Sequence, residues 1–308
     1  LIFHKISGIL YLEGRKINNM ATGDSGNFGG SLLEVIEAEA ILKFSEASVS
    51  VPLVKQKSEP KADQITFVAY NAGSNTVTSA DVANTAEGTV TPSTALDSEK
   101  KTITLDMYSV MLPIYDEAKL SNADDVYANA GALAGNAMAS KLDALVNANY
   151  ANFSNTVGGA TETIDVDDLF QCLANLKQNS APGQPNAVLE PRQIWGTYGI
   201  HNDLITQAQF AGSGVQDEGA RSGFVSRIAG IGIHSSPEFT AVAGSGTASS
   251  IKGGVFVEDA IGFGYAGEMM RVEEYREGSY LRSNIVVSSF CNSTEIIDGY
   301  GVLMQSQI

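Results

Sequence analysis

The chain contains 308 residues, 44% of them hydrophobic and 18% charged, a composition that is typical of a globular protein with one large core or two smaller ones. Its only cysteines, Cys172 and Cys291, exclude a disulfide framework, and their apolar neighbours indicate that both are buried as small hydrophobic residues. The formal net charge of -16 argues against tight nucleic-acid binding, because such binding neutralises phosphates with clustered lysine and arginine side chains.

Residues 1–30 are predicted to form an N-terminal arm. Residues 1–19 carry more basic than acidic side chains, unlike the acidic body, and Met20 with the small polar residues after it looks like a natural start. The glycine-rich residues 23–30 predict a flexible connection. The longest apolar stretches, such as Ile9 to Leu12, are far shorter than the roughly 20 residues that cross a bilayer, so neither a membrane segment nor a secretion signal is expected.

The arm leads into a helix and then into extended chain. Ser31 and Glu34 form an S-x-x-E capping box, which predicts a helix that ends near Phe44. Alternating or β-branched residues predict that the chain after this helix is extended at 48–51, 65–70 and 103–107.

Residues 71–99 consist mainly of Gly, Ser, Thr, Asn and Ala and have almost no large apolar side chain. Such a segment cannot bury a core of its own, so together with the strands on either side it predicts a protruding hairpin. At ~3.3 Å per residue, a hairpin arm of about 15 residues extends on the order of 50 Å, enough to lie across a neighbouring subunit.

A long helix is predicted over about residues 121–151. Ser121 and Asp124 give a capping signal, and the apolar residues after them recur at near-helical spacing. The helix is rich in alanine and contains Gly131 and Gly135, which permit close approach of another backbone at a cost of about 1 kcal/mol each relative to alanine.

The second half of the chain alternates helices and strands. A helix is predicted from Asp165 to Lys177, with Asp167 and Asp168 at its positive end. Its expected buried stripe consists of Val166, Leu169, Phe170, Leu173 and Leu176. Pro191 is expected in the first turn of a segment that contains Trp195 and Tyr198. Further strands are predicted at 186–189, 229–233 and 254–257, and a hairpin is predicted from 269–274 and 280–288 around a turn at 277–279.

No catalytic, cofactor-binding or metal-binding residue is predicted. His4, His201 and His234 are far apart and match no spacing for zinc, and neither a nucleophile elbow nor a P-loop occurs. Gly262 to Gly267 matches G-x-G-x-x-G, but the residues after it favour a strand, so we interpret these glycines as turn or close-packing residues. The acidic cluster at 165–168 lacks the glycine of an EF-hand loop and is interpreted as helix capping.

The order of the predicted elements, together with several local stretches, resembles the major capsid protein family of tailed double-stranded DNA bacteriophages. The family-like stretches are 112–120, 187–191, 254–260 and 299–304, and the resemblance spans about residues 31–306. It implies an α+β fold with an N-terminal arm, an extended β-hairpin loop, a long spine helix in a peripheral domain, and an α/β axial domain.

The resemblance also implies a division of the chain and a set of partners. The arm is 1–30 and the extended loop is 62–112. The peripheral domain comprises 31–61 and 113–160 and is completed by the 268–290 hairpin; the axial domain comprises 161–267 and 291–308. The expected partners are further copies in pentamers and hexamers, and portal, scaffold and cement proteins. The shell would enclose double-stranded DNA without sequence-specific binding, and would assemble in the host cytoplasm.

Two other classes of function stay open at the level of sequence. The strands rich in Ser, Thr, Gly and Asn also suit a secreted β-rich adhesion or binding module. An enzyme with dispersed catalytic residues would require a pocket that brings His201 or His234 close to carboxylates with perturbed pKa values.

Overall fold

The computed structural model describes residues 27–70, 98–117, 126–159, 161–196, 199–201, 227–239, 242–243 and 249–307. The helices in these residues are α1 (Asn27–Ala47), α2 (Val126–Ala148), α3 (Val166–Gln178) and α4 (Pro191–Trp195). The strands are β1 (Lys55–Glu59), β2 (Gln64–Tyr70), β3 (Ser98–Thr104), β4 (Asp106–Tyr115), β5 (Thr156–Gly158), β6 (Asn186–Leu189), β7 (Arg227–Ile228), β8 (Ile231–Ser235), β9 (Val242–Ala243), β10 (Ser249–Phe256), β11 (Ile261–Ala266), β12 (Arg271–Glu277), β13 (Arg282–Glu295) and β14 (Gly301–Gln307).

The first sheet is built around the long strand β13. Its first half pairs antiparallel with β12, its second half with β11, and β4 pairs along its other edge. β1 is added parallel to β11. Helices α1 and α2 pack on one face of this sheet, where Ile285 and Val287 of β13 share a core with Leu142 and Val146 of α2.

The second sheet has the strand order β5-β14-β10-β6-β8-β7, and β9 pairs with β10. It mixes parallel pairs, β6 with β8 and β14 with β5, with antiparallel pairs. Helix α3 covers it with the buried side chains of Val166, Leu169, Cys172 and Leu176. Helices and strands therefore form two layered units, which is the α+β class that the resemblance predicts.

Strands β2 and β3 form a separate two-stranded ribbon with a small core. They pair antiparallel from Gln64↔Thr104 to Tyr70↔Ser98, and Ile65, Phe67 and Ile103 are buried together with Ile296. The predicted 65–70 strand is confirmed as β2. The predicted 103–107 strand is interrupted at Leu105, where β3 ends and β4 begins, and only its first two residues belong to the ribbon. The core-poor segment between β2 and β3, and likewise the arm at 1–26, the capping signal at 121–125, Tyr198 and His4, lie outside the described residues.

The predicted strand at 48–51 is wrong, although its sequence alternates. Residues Val51–Leu53 form a short 3-10 helix, and the N–H groups of Val49, Ser50 and Val51 donate to the side chain of Asp143 instead of a neighbouring strand. A buried carboxylate that accepts these hydrogen bonds removes the donors that a sheet would use. The strand in this region is β1, a polar segment that lacks the alternating signal.

Three boundaries or faces also differ from the prediction. Helix α1 begins at Asn27, before the predicted cap at Ser31, so residues 27–30, predicted as the end of the arm and part of a flexible connection, are helical. Phe170 is exposed and Cys172 is buried, since the 3.6-residue period places Cys172 on the stripe. Ala229 and Gly230 form a positive-φ turn between β7 and β8, so the predicted 229–233 strand begins at Ile231.

Candidate assembly surfaces

The helix pair α1–α2 is held by backbone contact. A Cβ atom added to Gly131 would lie 2.9 Å from the carbonyl oxygen of Ile36, and one added to Gly135 would lie 2.3 Å from that of Ala40. Both distances are shorter than any side chain tolerates without movement, so only glycine fits. The predicted role of these two glycines is confirmed.

A buried polar network surrounds the C-terminal half of α2. The carboxylate of Asp143 accepts hydrogen bonds from Ser48 Oγ and from the N–H groups of Val49, Ser50 and Val51, at distances of 2.7 to 3.1 Å. Burial raises the pKa of Asp143, while these donors act in the opposite direction. The network fixes the chain that links α1 to β1.

Asn147 extends the same network by one helical turn. Its Oδ1 accepts from Ser50 Oγ at 2.6 Å, and its Nδ2 donates to the carbonyl oxygen of Glu238 at 2.9 Å and to Ser236 Oγ at 3.3 Å. Residues 48–51 and 236–238 are thus joined through α2. Sequence analysis did not identify Asp143 and Asn147 as structural residues. The available signal was two polar residues, four positions apart, in a helix made mostly of small and apolar residues.

The outer face of the first sheet exposes apolar side chains along β4, β13 and β12, away from the part of β11 that the β2–β3 ribbon covers. Alternate residues of β4 point away from the helices, and among them Met107 is 65% exposed and Met111 is 49% exposed. In register with Met111 lies Val286 of β13, and Tyr275 of β12 donates its hydroxyl hydrogen to Met111 Sδ at 3.3 Å. Exposed apolar area of this kind is typical of surfaces that contact other proteins.

The tip of the β12–β13 hairpin joins ion pairs to exposed aromatic residues. Arg276 makes a bidentate contact with Asp116, at 3.1 and 2.7 Å, and Arg282 donates twice to Glu277, which lowers the pKa of that carboxyl group. The Arg282 guanidinium lies 4.8 Å from the ring centre of Tyr280. Both arginines at the hairpin tip are therefore paired with carboxylates, and the exposed rings lie beside these ion pairs.

The described residues that were considered as cofactor-binding, catalytic or metal-binding candidates do not lie together in one site. Gly262 and Gly264 lie within β11, where an added Cβ on Gly262 would meet Phe67 and Ile296 at 2.9 Å, so close packing explains the glycine pattern. His201 and His234 are half-buried, and burial lowers the pKa of His234. In the part of the chain that the structure describes, no cluster of three metal-ligating side chains occurs.

The cysteines and the acidic cluster have structural roles. Cys172 and Cys291 are both fully buried, as predicted, and burial raises the pKa of the Cys172 thiol to about 12. Asp165 is the N-cap of α3, and Asp168 Oδ2 accepts from the Asp165 N–H at 2.9 Å, so the cluster at 165–168 is a capping box. None of the described helices is both long and apolar enough to cross a bilayer.

Solved structures similar to this chain include phage capsids and a virus-like particle. The chain is similar to the capsid of cyanophage P-SCSP1u, with a TM-score of 0.62 and 17% identity over 84% of this chain and 88% of that one. The chain is also similar to the capsid of Ralstonia phage GP4, with a TM-score of 0.61 and 10% identity over 83% of this chain and 87% of that one. For the virus-like particle of Pyrococcus furiosus the TM-score is 0.55 and the identity is 10%, over 88% of this chain and 98% of that one. No protein-family model matches the sequence, and no curated protein does.

These similarities establish the fold. The chain has the α+β fold of the tailed-phage major capsid proteins. The resemblance that the element order suggested is therefore confirmed in three dimensions, although sequence identity to the three structures is 10 to 17%.

Proposed function

We propose that this chain is a structural subunit that self-assembles into the icosahedral head shell of a tailed bacteriophage and has no catalytic role. The observation that carries the proposal is the likeness to capsid and particle structures over 83 to 88% of the chain. The shared fold lends no support to the adhesion alternative, because the similar structures are shells.

Assembly would proceed through contacts between copies in pentamers and hexamers. The extended loop at 62–112 and the arm at 1–30 would lie over neighbouring subunits and supply stability that one subunit lacks. The open face of the β4–β13–β12 sheet and the hairpin tip support such contacts, because they expose methionine, tyrosine and leucine side chains beside charges that are already paired. The proposed domains are those of the sequence analysis.

The net charge of -16 supports a container that encloses double-stranded DNA without binding it tightly. Like charges on the wall and on the DNA keep the packaged molecule free of the shell. Portal, scaffold and cement proteins are the further partners that the fold suggests, and the virion is the proposed location after assembly in the host cytoplasm.

Electron microscopy of the purified protein tests the proposal. We expect closed particles of uniform diameter in negative stain, and an earlier peak on size exclusion than that of a single 32.4 kDa chain. Circular dichroism on the same sample reports whether the chain is folded. A folded protein that stays monomeric across salt and protein concentrations, alone and when expressed with a scaffold protein, would contradict the proposal.

A further inference from the structure

Helices α1 and α2 run in the same direction and contact each other in a constant register. Ile36 lies against Gly131 and Ala40 against Gly135, and in both pairs the partners are separated by 95 positions in the sequence. The hydrogen bond from Ser48 to Asp143 spans the same 95 positions. The 95-position register observed at the two glycines is therefore continued, after α1 has ended, by a polar contact.

The α2 side of this contact is one stripe with four-residue spacing. It consists of Gly131, Gly135, Ala139, Asp143 and Asn147, and all of these residues are buried. The three small residues let the backbone of α1 approach closely, because their side chains occupy very little volume between the two helices. A smooth surface of small residues permits sliding by one helical turn, however, and does not by itself specify a single register.

Asp143 removes that freedom. Its two carboxylate oxygens accept from four donors, three of which are backbone N–H groups of consecutive residues, Val49, Ser50 and Val51. The side chain is 2% exposed, so water cannot replace a lost donor. A shift of α1 by one turn would leave both the carboxylate and the backbone groups buried without partners.

We propose that Asp143 is the positioning residue that locks the register of α1 on α2, and that it thereby fixes where the chain preceding Asn27 joins the body. This inference rests on the proposed function in one respect. In a shell, the origin of the N-terminal arm determines which neighbour the arm can contact. Asn147 hydrogen-bonds both to Ser50 and to the backbone of Glu238, which follows β8 of the second sheet. The start of α1 is thereby held in a fixed position relative to both sheets.

Hydrogen–deuterium exchange on the unassembled subunit in low salt tests the lock. In Asp143→Asn, the amide oxygen replaces only one carboxylate oxygen, the amide nitrogen cannot accept a hydrogen bond, and the charge is lost. We expect exchange of residues 49–51 to accelerate roughly tenfold to a hundredfold, the effect of losing hydrogen bonds to a charged group. Exchange in α1 accelerates with it, whereas exchange in α3 stays within about twofold of wild type.

Ser48→Ala provides a milder variant if Asp143→Asn fails to fold. It removes one side-chain donor and leaves the three backbone donors, so we expect acceleration of about twofold to tenfold at residues 49–51. Asn136→Ala, on the exposed face of α2, is the matched control and should leave exchange unchanged. Wild-type exchange rates at 49–51 in Ser48→Ala and in any folded Asp143→Asn would overturn the inference.

The same variants connect the lock to assembly. We expect folded Asp143→Asn subunits to give particles of mixed diameter or open sheets, while the Asn136→Ala control gives the wild-type distribution. Uniform wild-type particles from Asp143→Asn would overturn the link to arm placement. If the wild-type protein forms no particles, the proposed function fails, and the exchange experiment still decides whether Asp143 locks α1.

Discussion

Single glycines set the distances between layers of this protein. An added Cβ would lie 2.1 Å from the Phe153 ring at Gly301, and 2.6 Å from the Tyr150 ring at Gly254. Tyr150 in turn stacks on Phe256, with ring centres 5.2 Å apart. These aromatic residues, which belong to the core that α2 shares with the first sheet, therefore lie directly on strand backbones of the second sheet, and a side chain larger than hydrogen at these glycines would separate them.

Gly135→Ala should destabilise the subunit. Alanine is the better helix former by about 1 kcal/mol, but its Cβ would overlap the carbonyl oxygen of Ala40, a backbone atom that no rotamer change can move away. Overpacking costs typically 1–3 kcal/mol, and after the gain in helix propensity is subtracted we expect a net loss of about 1 kcal/mol in the free energy of unfolding, measured with urea.

Gly278→Ala is the control for this prediction, because no atom lies within 4 Å of the Cβ position at Gly278. It should change the free energy of unfolding by less than about 0.5 kcal/mol. A Gly135→Ala protein as stable as wild type would show that α1 and α2 are farther apart than the structure has them.

At the scale of elements, the ribbon β2–β3 combines a structured base with a distal segment that has little to bury. Seven residue pairs connect the two strands, and Ile65, Phe67 and Ile103 form the base with Ile296. An isolated two-stranded ribbon has only marginal stability in water. This ribbon is stabilised because its core is shared with the first sheet unit. The base and the distal segment can therefore be changed independently.

Deleting Ala72 to Thr94 should abolish particles and leave a folded subunit. The deletion joins β2 to β3 through four residues, a length that hairpin loops commonly have, and it spares the buried base. Circular dichroism should match wild type, while negative-stain images should show no shells. Intact shells from this variant would contradict a role for the loop between copies.

A variant in which 72–94 is replaced by a Gly-Ser segment of equal length separates two causes of that loss. It keeps the length of the chain and removes its side chains. We expect it to lose particles as the deletion does, because contacts between copies require specific side chains.

At the scale of the whole molecule, charge and assembly oppose each other. Each copy carries a formal charge of -16, so copies repel one another at low ionic strength. At the hairpin tip, Arg276 and Arg282 are each paired with a carboxylate, so this part of the surface carries less excess negative charge than the chain as a whole.

Assembly should therefore increase with salt. The Debye length falls from about 30 Å at 0.01 M salt to about 10 Å at 0.1 M, which screens the repulsion and leaves apolar contacts in place. Light scattering at fixed protein concentration should show more particles at about 0.1 M than at about 0.01 M. Assembly that decreases over this range would mean that attraction between opposite charges dominates the contacts.

The sequence by itself determined the elements whose signal is local. The capping box at Asp165 and the apolar spacing of the long helix are set by hydrogen bonds and periodicity within one segment. The strands β2, β6 and β13 were predicted for the same reason. The resemblance in element order predicted the fold correctly, since the order of elements is itself a property of the sequence.

Only the tertiary structure decided how distant segments meet. The alternating residues 48–51 looked like a strand, yet the carboxylate of Asp143, more than 90 positions away in the sequence, takes their backbone donors. The polar strand β1 forms because β11 offers it an open edge. Hydrogen bonds and burial between remote residues outweigh local preferences of about 1 kcal/mol, and a single sequence does not reveal which remote residues will be neighbours.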